Sequence, residues 1–377
     1  MMSSASYNNI KIDLAALRYN YDQIGKLVGD RVRIMAIVKS DAYGHGLLPV
    51  AEVLSDAGAS TFGVAETEEG VCLRQAGCEG EIVVLLGAPA ESFAEVIQYC
   101  LTPVVYDLAN LAALSISAEK KGARVGVHLK VDVGMGRLGI MPSELKLFVD
   151  EIGRLPGVYL AGILSHFPLA DSNQSSPTLE QGRRFAGLAA SIGTASDGEM
   201  VCHIANSAAL IRYPETYFDM VRPGITLYGC YPGAESVLRG KLSLRPVMSF
   251  HSRVLQVKEV PADFGISYGH TYVTGRLTSL AVLPVGYDDG YLRSVTGKAE
   301  VLINGHRARV LGRVCMNACL ADVTDIPGVQ PGAEVVVMGR QGDDEINADE
   351  IAGWMNTISY EVLCLLGGSN KRLYIYD

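Results

Sequence analysis

A lysine closes the apolar run Met35–Val38, and Tyr43, Gly44, His45 and Gly46 follow within seven residues ("MAIVKSDAYGHG"). Three of the four residues before Lys39 are aliphatic, so the run reads as a strand covered on both faces. An ammonium at the end of such a strand is costly unless it is paired, deprotonated or covalently modified. A desolvated lysine with a lowered pKa is the side chain that condenses with an aldehyde to a Schiff base. The plain alternative is a lysine that snorkels past the strand end into water. The glycines at 44 and 46 would let backbone approach a ligand closely.

Other polar groups occupy the same kind of position. Lys130, Asp132, His166, Asn206, Ser207 and Arg222 each fall near or just beyond the C-terminal end of a strand-like run. The runs are "RIMAIVK" (33–39), "TFGVAE" (61–66), "EIVVLLG" (81–87), "TPVVYD" (102–107), "GVHLKVD" (126–132), "LAGILSHF" (160–167), "VCHIAN" (201–206) and "DMVRPGI" (219–225). Helical patterns such as "GLLPVAEVLSDAG", "TEEGVCLRQAG" and "PSELKLFVDEIG" lie between them. Eight strands alternating with helices predict a (β/α)8 TIM-type barrel over residues 1–241, whose C-terminal rim carries the chemistry. From about Leu242 the texture becomes strands and turns with few helices, which predicts a mainly β C-terminal domain over 242–377.

The loops after the last two barrel strands commonly bind phosphate in such barrels. Asn206, Ser207, Gly224 and Ile225 stand there, offering a hydroxyl and backbone N–H groups to an anion. "GMGRLG" (134–139) follows a strand and formally matches a dinucleotide fingerprint, but Pro142 is the better first-turn residue. The helix then starts too late to meet a pyrophosphate, and that reading is rejected. Arg137 within the loop is instead a cation suited to a two-pronged hold on a carboxylate. Lys130 could pair with Asp132, since residues two apart in a strand share a face.

Of the 377 residues 49% are hydrophobic and 19% charged, and the net charge is −9 with no basic run. That composition supports a large core and argues against nucleic acid or an anionic membrane as partner. The N-terminus lacks a basic-then-apolar pattern, so a cytoplasmic location is expected. The eight cysteines show neither a CxxC pair nor metal-ligand spacing; reduced, mostly buried thiols and no metal site are expected.

The chemistry-bearing stretches also resemble, in order and spacing, the motifs of bacterial alanine racemases. These are "VKSDAYGHG", "HLKVDVGMGRLG", "SHF" followed by "AD", "ANSAA", "VRPGITLYG", "ISYGHTY", "PVGYDDGY", "GRVCMN" and "SYEVLC". The resemblance implies a pyridoxal 5'-phosphate (PLP) enzyme acting as a head-to-tail homodimer on a small amino acid. It makes Lys39 the Schiff-base lysine and one of two bases. Tyr268, in the β domain, is the other, acting on the partner's cofactor. By the same likeness Tyr43 and Tyr360 reach the phosphate, and Arg222 donates to the pyridine nitrogen. His166 hydrogen-bonds Arg222 or stacks on the cofactor, and Arg137 orients the substrate carboxylate. Tyr287 and the Met316 N–H contact substrate at the entrance, and Lys130 matches a lysine that is often carbamylated.

One departure stands out: Asn317 follows "GRVCM" where the family usually has aspartate. Three alternatives share part of this pattern. A broad-specificity racemase acting on serine, lysine or arginine would share nearly every motif. A fold-related PLP decarboxylase has no need of two opposed bases. A single-barrel PLP carrier would lack the residues after 241.

Overall fold

The computed structural model describes residues 6–172, 175–192, 200–233, 238 and 240–376. After a first strand β1 (Asn9–Asp13) come eight short strands: β2 (Arg33–Ile37), β3 (Thr61–Val64), β4 (Glu81–Val84), β5 (Thr102–Val105), β6 (Val125–Lys130), β7 (Val158–Leu164), β8 (Val201–His203) and β9 (Met220–Val221). They form one parallel sheet in the order β8-β7-β6-β5-β4-β3-β2-β9. The ring is joined between β8 and β9 by the parallel bridge Asn206↔Arg222, where the Arg222 N–H donates to the Ala205 carbonyl at 2.9 Å. Each expected barrel strand is present, in order. Their continuous aliphatic runs follow from burial on both faces: every residue of β3, and all but the first of β4 and β5, is buried.

Helices on the outside follow from apolar residues at helical spacing. In Leu145–Arg154 the buried residues are Leu145, Phe148 and Ile152, one stripe of a 3.6-residue period. Pro142 opens the 3₁₀ turn Pro142–Glu144 just before it. Gly134, Gly136 and Gly139, all at positive φ, therefore belong to a loop and not to a helix N-terminus. Asp107 caps Leu108–Lys120 by accepting from the Asn110 N–H at 2.7 Å.

The chain divides into two compact units, one of Leu17–Ala42 with Leu47–Arg245, the other of Met1–Ala16, Tyr43–Gly46 and Pro246–Asp377. The first sixteen residues, assigned to the barrel domain from sequence, thus go with the β unit. The reason is the alternating "NIKID" of β1, which buries Ile10 and Ile12 completely. This strand pairs antiparallel with Met248–Arg253 and parallel with Arg372–Ile375, inside the large sheet of the β unit. Asn8 anchors its start by donating to Pro284 O and Asp289 Oδ1 and accepting from Ser252 Oγ. One short helix of this unit spans Ala348–Met355, with Asn347 as its N-cap.

The cysteines are all free, but the expectation that most are buried does not hold. Only Cys319 is buried, while Cys72 and Cys100 are exposed. Apolar neighbours in sequence do not bury a residue that faces outward from its element. Among the described residues no helix is long and apolar enough to cross a membrane, and no group of three or more His, Cys, Asp or Glu is disposed to hold a metal.

Candidate active site

Lys39 follows β2 and opens a turn of unusual hand. Ser40, Asp41, Ala42 and Tyr43 all have φ between 53° and 56°, a short left-handed helical turn made without glycine. Left-handed backbone costs non-glycine residues roughly 1–2 kcal/mol each, so the surroundings must hold it. The Ala42 N–H donates to Val38 O at 2.8 Å, and the Leu47 N–H donates to Asp41 Oδ1 at 2.7 Å. Glu69, in the first turn of the helix Thr67–Gln75 that follows β3, adds a clamp, accepting from Asp41 N at 3.3 Å and from Ala65 N at 2.7 Å. The turn fixes the direction in which Lys39 leaves the strand.

Arg222 is 6% exposed and sits just past β9. Its guanidinium donates to Ser165 O at 2.6 Å, to Ile204 O at 3.1 Å and to His203 Nδ1 at 2.8 Å, with His166 Nδ1 at 3.3 Å. Burial lowers its pKa to about 9, which leaves it charged at neutral pH. Burial first, then the nearby cations Arg222, Arg137, Lys130 and Lys39, push His166 well below the usual imidazole range; it is a neutral acceptor. Beside this cation, the Gly224 N–H donates to Ser207 Oγ at 2.9 Å, and Thr226 Oγ1 lies 3.1 Å from the same oxygen. With its oxygen occupied from Gly224, the Ser207 hydroxyl proton is available to Thr226 or to an anion. Asn206 is committed otherwise. Its side chain caps Ser207–Arg212 through Ala209 N and donates to Phe167 O.

The anticipated pairing of Lys130 with Asp132 gives way to another arrangement. The Asp132 carboxylate accepts from the N–H groups of Gly134, Met135, Gly136 and Arg137 at 2.7–3.2 Å. Burial raises its pKa, but the four donors outweigh that and hold it below the usual carboxylate range. Asp132 therefore shapes the loop that presents Arg137. Lys130 is 7% exposed. Burial, then the cations Arg222, Arg137 and Lys39, push its pKa down to about 8, only partly opposed by Asp132.

Within the β unit, two groups of expected residues assemble. Tyr43 and Tyr360 meet with ring centroids 6.0 Å apart, and burial raises the Tyr43 pKa. Gly44 serves the helix Ser359–Ser369 and not a ligand. A Cβ on Gly44 would stand 2.6 Å from Leu363 O, and one on Gly46 would strike the Tyr374 hydroxyl. The expectation that these glycines admit a ligand is corrected accordingly. In the second group the Tyr287 N–H donates to Cys315 O and the Asp288 N–H to Met316 O, while Asn317 Nδ2 donates to Asp288 Oδ2 at 3.1 Å. Tyr268 is 70% exposed, on a turn where Ser267, Gly269 and His270 all have positive φ. Ser267 Oγ ties that turn to Arg313 O at 2.7 Å, and the Arg313 guanidinium lies within 3.1 Å of where a Gly269 Cβ would be. A cation thus flanks the turn that carries the tyrosine.

Residues 12–232 match the model of the alanine racemase N-terminal domain, and residues 247–374 match that of the C-terminal domain. The chain belongs to the alanine racemase family. The alanine racemase of Syntrophobacter fumaroxidans is 44% identical over 97% of this chain and 96% of its own length. Among solved structures, that of alanine racemase from a D-cycloserine-producing Streptomyces lavendulae superposes with a TM-score of 0.94 at 34% identity, over 100% of this chain and 98% of its own. Alanine racemase from Bartonella henselae, described with covalently bound pyridoxal phosphate, gives 0.88 at 29% identity, over 98% of this chain and 100% of its own. The alanine racemase family is a family of isomerases, and the barrel followed by a β domain is its architecture.

His128, Thr226 and Arg313 lie within the quoted racemase motifs but were given no role there, and Glu69 and His203 lie outside them; all five hold or flank candidate residues. Glu69 was legible as a helix N-terminal acid in "TEEG". The others carried no pattern that separates them from ordinary strand or turn residues.

Proposed function

We propose that the chain interconverts L- and D-alanine with pyridoxal 5'-phosphate as cofactor, as a homodimer in which each subunit's β domain completes the other's site. The observation that carries this reading is Arg222, a buried guanidinium with three acceptors, standing beside the Ser207–Gly224–Thr226 cluster at the barrel end where β2 delivers Lys39.

The donor set fits a group with an aldehyde, a phosphate and a ring nitrogen. Lys39 would hold the carbonyl carbon. Ser207, the backbone of Gly224 and Ile225, Tyr43 and Tyr360 would hold the phosphate, and Arg222 the ring nitrogen. Asn206 would shape the phosphate loop through its cap, and His166 would accept from Arg222 beneath the ring. When bound, pyridoxal phosphate supplies the electron sink that makes the α-proton of an amino acid acidic. Because Arg222 has only donors to offer and keeps its proton, it leaves the nitrogen opposite it unprotonated. That moderates the sink and disfavours protonation at the wrong carbon.

Lys39 and the partner subunit's Tyr268 divide the proton transfers between them. One removes the α-proton and the other returns a proton from the opposite face, which inverts the centre. Arg137 would fix the substrate carboxylate, with Tyr287 and the Met316 N–H at the entrance. Lys130, with a pKa pushed down to about 8, has a sizeable neutral-amine fraction. It could add CO2, losing one proton to become a carbamate, and so replace one of four clustered cations by an anion. The dimer is supported by the exposure of Tyr268 (70%), Met316 (54%) and Tyr287 (40%), large side chains that a monomer would leave to water.

Chiral chromatography of the PLP-loaded protein with L-alanine, L-serine, L-lysine and L-arginine tests this function. D-alanine should form fastest. Faster turnover of the larger amino acids would make the chain a broad-specificity racemase, and no racemisation of any of them would sink the two-base mechanism.

A further inference from the structure

A line of polar side chains runs through the barrel from Arg222 to the opposite rim. Arg222 donates to His203 Nδ1 at 2.8 Å, His203 Nε2 lies 3.0 Å from His128 Nδ1, and His128 Nε2 lies 3.6 Å from Glu81 Oε1. Both histidines are completely buried, whereas the Glu81 side chain is 29% exposed. Glu81 is the first residue of β4, so it stands at the N-terminal rim; Arg222 follows β9 at the other.

The chemistry of the two ends sets every proton between them. A guanidinium only donates, so His203 Nδ1 must accept and carries no proton. His203 then holds its proton on Nε2 and donates to His128 Nδ1. His128 in turn holds its proton on Nε2 and presents it to Glu81. A second proton on either ring would set two N–H groups head to head, so both rings are neutral. With no hydrogen-bond acceptor in range among the described residues, the His128 Nε2–H faces the Glu81 carboxylate at ion-pair distance. Burial raises the Glu81 pKa, but the facing His128 N–H, the Arg33 cation and Thr102 act the other way and the net direction is down, so an anion terminates the line.

The backbone makes room for this arrangement. The β6–β7 register slips between Val127 and His128, which sets His128 opposite Gly162 and re-aims the strand locally. A Cβ at Gly162 would stand 2.8 Å from His128 Nε2. Ordinary core packing has no need of a glycine and a register slip at the one position that joins the two imidazoles to an acid.

We propose that Glu81 is a positioning residue for Arg222, acting across the barrel through the neutral pair His128–His203. Its role in turnover rests on the reading that Arg222 faces the cofactor. Its structural part does not.

The test has two arms. In cofactor-free wild-type protein with 15N-labelled histidine, long-range 1H–15N NMR should find His128 and His203 both protonated on Nε2 alone. A proton on Nδ1 of either ring, or on both nitrogens, would overturn the relay. In the PLP-loaded protein, E81K puts an ammonium where the carboxylate stood. By facing His128 Nε2 with a donor in place of a carboxylate, it should move the His128 proton to Nδ1, force a donor–donor conflict at Arg222, and lower kcat roughly ten- to hundredfold, as loss of an outer-shell partner typically does. KM for alanine should move much less. E81Q, whose amide oxygen can still face the His128 Nε2–H, should keep the tautomers and most of the activity. Unchanged tautomers and kcat in a folded E81K would overturn the proposal. If E81K does not fold, G162A displaces the His128 ring from the other side and should lower kcat with KM largely kept; unchanged kcat there would equally overturn it. Absence of racemisation by the wild type would refute the proposed function, while the tautomers of the cofactor-free protein would still judge the relay.

Discussion

Arg222 and Tyr268 are placed on opposite plans. Arg222 is 6% exposed, its guanidinium donates to two carbonyls and a histidine, and its position depends on residues at the ends of β7 and β8. Tyr268 is 70% exposed, on a turn with positive φ at Ser267, Gly269 and His270. A buried charge persists only where it is hydrogen-bonded, so this part of the barrel site is organised by the protein's own acceptors. An exposed tyrosine on a strained turn has no such reason to be there in a lone subunit. On the proposed reading, half of the chemistry is prefolded within one chain and half is held out for a second.

The largest effect should come from the prefolded half. K39A removes both the covalent anchor and one base, and racemisation should fall by about 10²–10⁴-fold, the range for loss of a positioned acid–base group. The PLP-loaded protein should also lose its Schiff-base absorption band. Retention of that band in K39A would mean another lysine holds the cofactor.

Y268F tests the held-out half. It should lower kcat by about 10²-fold while leaving the absorption band intact. The sharper measurement mixes K39A with Y268F after dissociation and reassembly. In a symmetric dimer one site of each mixed pair receives both lesions and the other neither, so activity should recover to about a quarter of wild type. No recovery on mixing would place Tyr268 in the same chain's site, or outside the chemistry.

Smaller in effect is the excess positive charge at the barrel end. With a pKa lowered from 10.5 to about 8, Lys130 is less readily protonated in the folded than in the unfolded protein. Between about pH 8 and 10.5 the unfolded chain binds a proton that the folded one has given up, so this group's contribution to stability rises with pH across that window. Below pH 8 it penalises folding by about 3–4 kcal/mol at most. In CO2-free buffer, cofactor-free K130M should therefore be more stable than wild type to urea at pH 7, with the gap closing by pH 10. Bicarbonate should stabilise wild type but not K130M if a carbamate forms. A pH-independent difference would show that Lys130 is a cation already balanced.

Much of this was legible in the sequence, for physical reasons. Barrel strands buried on both faces leave uninterrupted aliphatic runs, and polar residues at one end of such runs are conspicuous. Lys39, Ser207 and Arg222 could be placed that way. The turn Ser40–Tyr43 could not, because nothing in "SDAY" favours left-handed backbone; hydrogen bonds to Asp41 and Glu69 impose it. Gly44 looked like room for a ligand, since sequence does not reveal which surface approaches a glycine. Here it is a helix. "NIKID" shows alternation plainly, but its partners are strands that begin at Met248 and Arg372, and pairing across such a separation has no local signature. His128 and His203 each read as single strand residues. Only the closed ring of strands brings them within 3.0 Å of one another.

The smallest effect is expected where the chain departs from its family. Asn317 is exposed and donates to Asp288 at 3.1 Å. An aspartate there would set two carboxylates against each other, so the asparagine relieves a repulsion at the residue next to Tyr287. Between exposed groups such a term is small, and N317D should change stability by no more than about 0.5 kcal/mol. Its effect on substrate should show in KM and not in kcat, because the residue is adjacent to Met316 and takes no part in the proton transfers. KM for alanine should change by only a few fold, less at high salt. A larger shift for lysine or arginine, whose side-chain cation an added carboxylate would attract, would make position 317 a determinant of substrate charge. A fall in kcat comparable to that of Y268F would instead tie the Asn317–Asp288 pair to the turn that carries the tyrosine.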